Sequence, residues 1–254
     1  MTSTVFSHSD PLQPKNPQLE PLELNPKTGE PFLRVEGFDD IIITPLRWED
    51  APTYIPYLND PAVYRWMAGP PVPYLPSDAE FWSNRIIPPQ KATLFEFEKA
   101  RDQPEIITAD ICPVNSIRKI NEDGTDVFIG AIDIFRNANL GELVLGENGE
   151  YLVDMSQKEE NQKKNEGREV GDPDIIWEFG GARGIMTACV KTILEKWAIP
   201  RLKTRIVRAT AFAGNIGSMK VFLKNGFTHI ATLPDHVTVR GEARTLEVLQ
   251  WIRP

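Results

Sequence analysis

An α+β fold, with a single mixed, mostly antiparallel central sheet flanked by helices, follows from three features of the sequence. Runs rich in β-branched and aromatic residues, such as "DDIIITPL", "DVFIGAIDIFR" and "TLEVLQWI", read as strands. Two stretches in the C-terminal third carry apolar residues at three- and four-residue steps and read as helices. The two kinds of segment mix without the strict alternation that a doubly wound parallel sheet requires.

Taken in order, residues 1–37 repeat proline every few positions with little apolar content, which predicts an extended tail. The folded domain is expected over residues 38–254, opening on the strand in "DDIIITPL". "RWEDAPTYIPYLNDPAVYRWM" reads as two short helices broken at Pro56 and Pro61. After the rigid "GPPVPY", Ser77 is the expected N-cap of the next helix. "CPVNSIRKI" and "DVFIGAIDIFR" flank an Asp-Gly turn and predict an antiparallel pair. "NANLGELVLGENGEYLVDM" adds a further short ribbon, and the almost wholly polar residues 156–172 predict a mobile surface insertion.

"PDIIWEF" is a short strand that runs straight into "GGARGIMT". In the helix that follows, Ile185, Met186, Cys189, Val190, Ile193, Leu194 and Trp197 form one apolar face, and Pro200 is expected to end it. "LKTRIVRATAF" is a strand. "NIGSMKVFLKNGF" is a helix with Asn215 as N-cap and Asn225-Gly226 as its left-handed exit. "THIATL" and "TLEVLQWI" complete the sheet, joined by a loop over "PDHVTVRGEAR".

With 254 residues, 41% of them hydrophobic, the chain can bury a substantial core. A net charge of −8 argues against nucleic-acid binding, which requires a basic patch. The two cysteines, Cys112 and Cys189, have neither metal-ligand nor redox spacing, and Cys189 reads as a small core residue. The three histidines (His8, His229 and His236) form no metal motif, so no metal is expected. No secretory signal pattern and no apolar run near ~18 residues is present, so a cytoplasmic chain without a membrane partner is expected.

The chemistry concentrates at "GGARGIMT". Backbone N–H groups at a helix start lack intrahelical partners, and their partial positive charge favours phosphate. Arg183 adds a planar donor fork. The competing reading is a plain strand-to-helix turn. Neither G-x-x-x-x-G-K-[ST] nor a complete G-x-G-x-x-G is present, which weakens nucleoside-triphosphate and dinucleotide alternatives.

The succession of strand, "RGIMT" turn, amphipathic helix, strand, "NIGS" helix and "KNGF" exit resembles the GNAT superfamily of acetyl-CoA-dependent N-acetyltransferases. The ribosomal-protein-acetyltransferase type is the most similar branch, and "ITPLRWEDAPTYIPYLNDPAV" is similar to its opening strand and helix. The resemblance spans roughly residues 38–252. It implies the acyl-CoA N-acyltransferase fold, with acetyl-CoA as co-substrate, a primary amine as acceptor, and a monomer or homodimer. Direct transfer, without metal or covalent enzyme intermediate, is the implied chemistry.

By the same resemblance, Arg183, Gly184, Ile185, Met186 and Thr187 would hold the pyrophosphate, and Asn215 would contact the pantetheine arm or brace the loop. Ser218 would protonate the departing thiolate. Asn215 and Ser218 also have plain readings, as a helix cap and an ordinary first-turn serine. Glu178 is the candidate base, against the alternative of a solvent-facing strand residue; Asp235 and His236 rank below it. The chain departs from the family pattern where Gly181 replaces the usual Gln or Arg and "WEFGGARG" joins strand to turn almost directly. That short link leaves a second reading open: a non-catalytic CoA-binding or interaction module with the same fold.

Overall fold

The computed structural model describes residues 15–181 and 185–253. After a 3-10 turn at Pro17–Leu19 come β1 (Glu23–Leu24), β2 (Pro31–Arg34) and β3 (Ile41–Thr44). Three helices follow: α1 (Ala51–Leu58), α2 (Pro61–Tyr64) and α3 (Pro76–Lys99). β4 (Ser116–Ile120), β5 (Asp126–Arg136) and the hairpin β6 (Leu143–Leu145) and β7 (Tyr151–Val153) precede α4 (Lys158–Glu166). β8 (Ile176–Gly181) leads to α5 (Met186–Thr192), a π turn (Ile193–Ala198) and α6 (Ile199–Arg201). The chain closes with β9 (Ile206–Phe212), α7 (Ile216–Lys224), β10 (Thr228–Val239) and β11 (Glu242–Ile252).

Nine strands form one sheet in the order β1-β2-β3-β4-β5-β8-β9-β11-β10, with β6 and β7 as a separate ribbon. Among the described residues every pairing is antiparallel except β8 with β9. A parallel pair cannot be closed by a hairpin, so α5, the π turn and α6 form the crossover. Their apolar stripe (Met186, Cys189, Val190, Ile193, Leu194, Trp197) is buried against Trp177 and Phe179 of β8 and Val207 and Ala209 of β9. Phe222 and Phe227 extend the same core, with ring centroids 5.2 Å apart. The expected stop at Pro200 takes a different form. Proline has no N–H for the preceding turn, and the helix widens over Ile193–Ala198 before ending at Arg201.

The expected boundary at residue 38 is too late. Leu19, Leu22, Leu33 and Val35 belong to the main core, and Leu22 is 0% exposed. Polar side chains carry the anchoring that composition alone concealed. Asn16 donates to the Phe97 carbonyl (3.0 Å), and Gln18 donates to the Glu105 carbonyl (2.9 Å) while accepting from the Ile107 amide (2.9 Å). The buried Arg201 donates to the carbonyls of Gln18 (2.7 Å) and Glu20, with its guanidinium 4.3 Å from the Phe97 ring centroid. Burial pushes its pKa down to about 10.

A second anchor is a chain of charges beneath α1. Arg118 of β4, 2% exposed, donates to Asp50 (2.5 Å), Asp126 (3.1 Å) and Thr44 (2.7 Å). Arg47 joins Asp126 (2.9 Å) to Glu30. The pairs tie β3, β4, β5 and the β1–β2 turn together, and each buried charge meets an opposite one.

Other local expectations are also revised. Ser77 is not the N-cap of α3; Leu75 is, with the Asp78 carboxylate accepting from its amide (2.7 Å), and α3 runs through Pro88 and Pro89. Residues 156–172 hold helix α4, whose buried Asn165 donates to the carbonyls of Asn137 (3.0 Å) and Ile176 (2.9 Å). "PDHVTVRGEAR" is mostly strand: β10 continues to Val239, and a tight turn follows at Arg240 (φ 51°) and Gly241 (φ 81°). Both cysteines are buried, as expected for Cys189. Among the described residues no helix is long and apolar enough to cross a membrane.

If the N-terminal segment is part of the fold, Leu22→Ala should lower stability by about 2–5 kcal/mol, the cost of a buried leucine cavity. Urea unfolding measures it. A change below ~0.5 kcal/mol would return residues 15–35 to the status of a tail.

Candidate active site

β8 and β9 pair from Ile176↔Ile206 to Phe179↔Ala209, and there the pairing stops. Beyond it β8 stays with β5 (Asp133↔Gly180, Ile132↔Gly181), while β9 stays with β11 (Glu247↔Ala211, Leu246↔Phe212). The two strand ends therefore part, leaving backbone edges that face each other across a gap. An extended ligand with its own amide groups can occupy such a gap by strand-like pairing. Each strand then delivers a helix start to this end of the sheet, α5 after β8 and α7 after β9.

The two helix starts differ. Asn215 caps α7, its Oδ1 accepting from the Ser218 amide (3.2 Å). The start of α5, at Ile185, has no side-chain cap among the described residues. Its first N–H groups are thus available to a ligand anion. The Met186 side chain is buried in the core, so only its backbone can serve a ligand. Thr187 is tied by its carbonyl to Asn225 Nδ2 (3.1 Å), which fixes the start of α5 against the end of α7. Arg183 and Gly184 lie outside the described residues. Ser218 is half-buried on the α7 face that also carries Phe222.

Glu178 sits on the opposite face of the sheet from α5. It is 6% exposed, so the solvent-facing alternative is set aside. Asn137 Nδ2 donates to its Oε2 (2.8 Å), and Thr210 Oγ1 donates to its Oε1 (3.4 Å). Desolvation raises its pKa above the ordinary carboxylate value, opposed by hydrogen bonds from Asn139, Thr210 and Asn137 and by the charge of Arg208. One strand over, Asp133 pairs in register with Gly180, and burial raises its carboxyl to about 7. Phe135 packs over Gly180, where an added Cβ would meet its ring at 3.1 Å, which places β5 residues 133 and 135 on the Glu178 face.

His236 and Asp235 part company. A register shift between Leu233 and Val237, with Asp235 at φ 49°, leaves Asp235 exposed and turns His236 inward. His236 Nε2 lies 2.6 Å from Oε1 of Glu142, a 0%-exposed carboxylate whose Oε2 is 3.5 Å from Lys158 Nζ. Arg208, 5% exposed, donates to Gln250 Oε1 (3.1 Å) and the Leu140 carbonyl (3.2 Å). This face thus collects Glu178, Asp133, Arg208, Thr210, Glu142 and His236. Burial pushes the thiols of Cys112 and Cys189 up, that of Cys189 to about 12, so neither is poised as a nucleophile.

Sequence reasoning missed Asp133, Arg208, Thr210, Asn137 and Glu142. For three of them a signal existed. Arg208 and Thr210 alternate with apolar residues in "IVRATAF", as Asp133 does in "GAIDIF", and period-two polar positions in a central strand mark one shared face.

Residues 40–228 match the family model described as the acetyltransferase (GNAT) domain. A search of curated protein sequences finds no match. Among solved structures, the chain is similar to a GNAT-family acetyltransferase from Bacillus anthracis at 14% identity, with 87% of this chain and 98% of that chain covered and a TM-score of 0.54. It is similar to the ribosomal-protein-S5-alanine acetyltransferase of Vibrio fischeri at 13% identity, with 85% and 97% covered and a TM-score of 0.50. A third is RimL, a ribosomal L7/L12 α-N-protein acetyltransferase in complex with coenzyme A, at 10% identity, 87% and 97% covered and a TM-score of 0.51. At these identities the likeness is one of fold.

A carboxyl raised by burial carries no penalty while protonated and destabilises the fold once ionised. For Asp133 the unfolded group titrates near 3.8 and the folded one near 7, so stability should fall as pH rises between those values. Asp133→Asn should flatten that decline in thermal melts from pH 4 to 8. An equally steep decline in the variant would show that Asp133 is not the group responsible.

Proposed function

The chain belongs to the GNAT acetyltransferase family, and from that premise we propose that it moves an acetyl group from acetyl-CoA directly to a primary amine of a small molecule or protein N-terminus. The observation that carries the proposal is the parting of β8 and β9 beside a helix start with no side-chain cap among the described residues. In this reading the pyrophosphate lies against the first N–H groups of α5, from Ile185 to Thr187, with Arg183 and Gly184 as further contacts. The pantetheine arm enters between the strand ends toward α7, where Asn215 braces the approach while capping the helix.

The acceptor approaches from the Glu178 face. Its nitrogen attacks the thioester carbonyl carbon, the C–S bond breaks, and the amine proton passes to Glu178, directly or through one water. Ser218 donates a proton to the departing thiolate and regains one from solvent. A carboxylate raised by burial suits this task, because its affinity for a proton moves toward that of the amine it must relieve. The two buried cysteines leave no thiol nucleophile for a covalent intermediate, in keeping with direct transfer.

The three residues between Gly181 and Ile185 favour one alternative, a module that binds CoA without transferring the acetyl group. Thermal shift and thiol release separate the two. Acetyl-CoA at about 100 times its Kd should stabilise the fold by roughly 2.7 kcal/mol, CoA should act similarly, and ATP should not. Arg183→Glu should weaken both CoA forms strongly with little change in unliganded melting. Ser218→Ala should lower thiol release ~10²-fold with CoA binding retained, the low end for general acid assistance. Binding without thiol release from any amine would favour the module; no shift with CoA would remove the cofactor assignment.

A further inference from the structure

The face that carries Glu178 also holds a cavity of about 300 Å³ between α4, the β6 segment and β8. Its lining includes Asn137, Leu140, Lys164, Arg168, Asp174 and Arg208. We propose that this cavity seats the anionic end of the acceptor, which makes the substrate a small primary amine carrying a carboxylate. The inference rests on the acetyl-transfer reading for its amine and on the cavity alone for its anion.

The charges decide the class. Arg168 is engaged by Asp172 (2.8 Å) and Asp174 (3.6 Å), which leaves it little to offer. Arg208 has no carboxylate within ion-pair distance among the described residues, although it is almost wholly buried and hydrogen-bonded only to neutral groups (Gln250, the Leu140 carbonyl and the Tyr151 side chain). Lys164, at the exposed rim, has no ion pair among the described residues. The amide side chains around the cavity are already bonded within the protein. Asn137 donates to Glu178, Asn161 to the Gly141 carbonyl and Asn165 to the carbonyls of Asn137 and Ile176. Arg208 and Lys164 thus line the cavity without a direct ion pair among the described residues, Arg208 meeting the charges of Glu178 and Glu142 only at longer range, and a planar carboxylate matches the guanidinium fork.

Position links this anion to the chemistry. Arg208 is the register partner of Glu178 across the parallel pair, and Asn137 both lines the cavity and donates to Glu178. Neighbouring strands lie about 4.8 Å apart. A carboxylate held at Arg208 thus leaves an amine two or three bonds away beside Glu178. The volume lies at the lower end for small-molecule sites, which matches an amino acid rather than a long acceptor.

Equilibrium binding tests the anion without requiring turnover. Thermal shift titrations of the full chain with CoA present, which carries no acetyl group to transfer, would use glycine, β-alanine, their primary amides and inorganic phosphate. The amino acids should bind at least tenfold more tightly than their amides, and Lys164→Glu should reduce that preference about fivefold. Arg208→Gln should abolish it, with CoA binding as the check that this variant folds. Equal binding of acid and amide, phosphate binding as well as the amino acids, or unchanged discrimination in Lys164→Glu would each overturn the assignment. A thiol-release assay on the same acceptors separates the two claims. Preferred binding of amino acids without turnover of any acceptor supports the cavity and sinks acetyl transfer. Turnover of acid and amide at equal kcat/KM sinks the cavity and supports acetyl transfer.

Discussion

The parallel pairing of β8 with β9 governs the rest of the molecule. An antiparallel neighbour could have been reached by a two-residue turn; a parallel one requires a crossover, and α5, the π turn and α6 supply it. The same geometry brings the C-terminal ends of two adjacent strands to one end of the sheet and starts a helix after each. When pairing stops at Phe179↔Ala209, the outer neighbours β5 and β11 hold the two strand ends apart. Backbone donors and acceptors are then presented together with the start of α5, which has no side-chain cap among the described residues.

The two faces of that central pair do different physical work. On one, Trp177, Phe179, Val207 and Ala209 meet the apolar stripe of α5 and Phe222 of α7, and tight packing fixes where the helix starts lie. On the other, Glu178 and Arg208 are buried and Asp133 is half-buried, and desolvation shifts the pKa of each. Rigidity on the first face lets the second hold charges that would otherwise be relieved by local movement. The N-terminal segment serves the first face: Arg201 ends the crossover and clamps the carbonyls of Gln18 and Glu20, joining the start of the described chain to the helix that crosses the sheet.

Much of this was legible in the sequence where local chemistry and tertiary role agree. The strand "DVFIGAIDIFR" corresponds to β5, the Asn215 cap and Gly226 exit bound α7, and the stripe from Met186 to Trp197 is the crossover helix. The N-terminal segment was misread because Asn16 and Gln18 hold it through side-chain bonds to residues more than 80 positions away, and composition does not report partners. α4 was misread for a related reason. Its polar sequence buries Asn165, and that amide bonds to the backbone of β8 rather than to water. Glu142 and His236 could not be paired from sequence at all, since a bulge in β10 decides which way His236 points.

Acetyl transfer on this face requires a group that takes the amine proton, and Glu178 is the proposed one. The most direct measurement is the pH dependence of kcat/KM for acetyl transfer in wild type and Glu178→Gln. Wild type should gain activity as pH rises through a carboxyl pKa above the ordinary range, because the ionised form is the base and burial delays its appearance. Glu178→Gln should lose that limb and fall by ~10²–10⁴ in rate while binding acetyl-CoA normally. A variant that keeps the wild-type profile and rate would contradict the assignment and move the proton transfer elsewhere on this face.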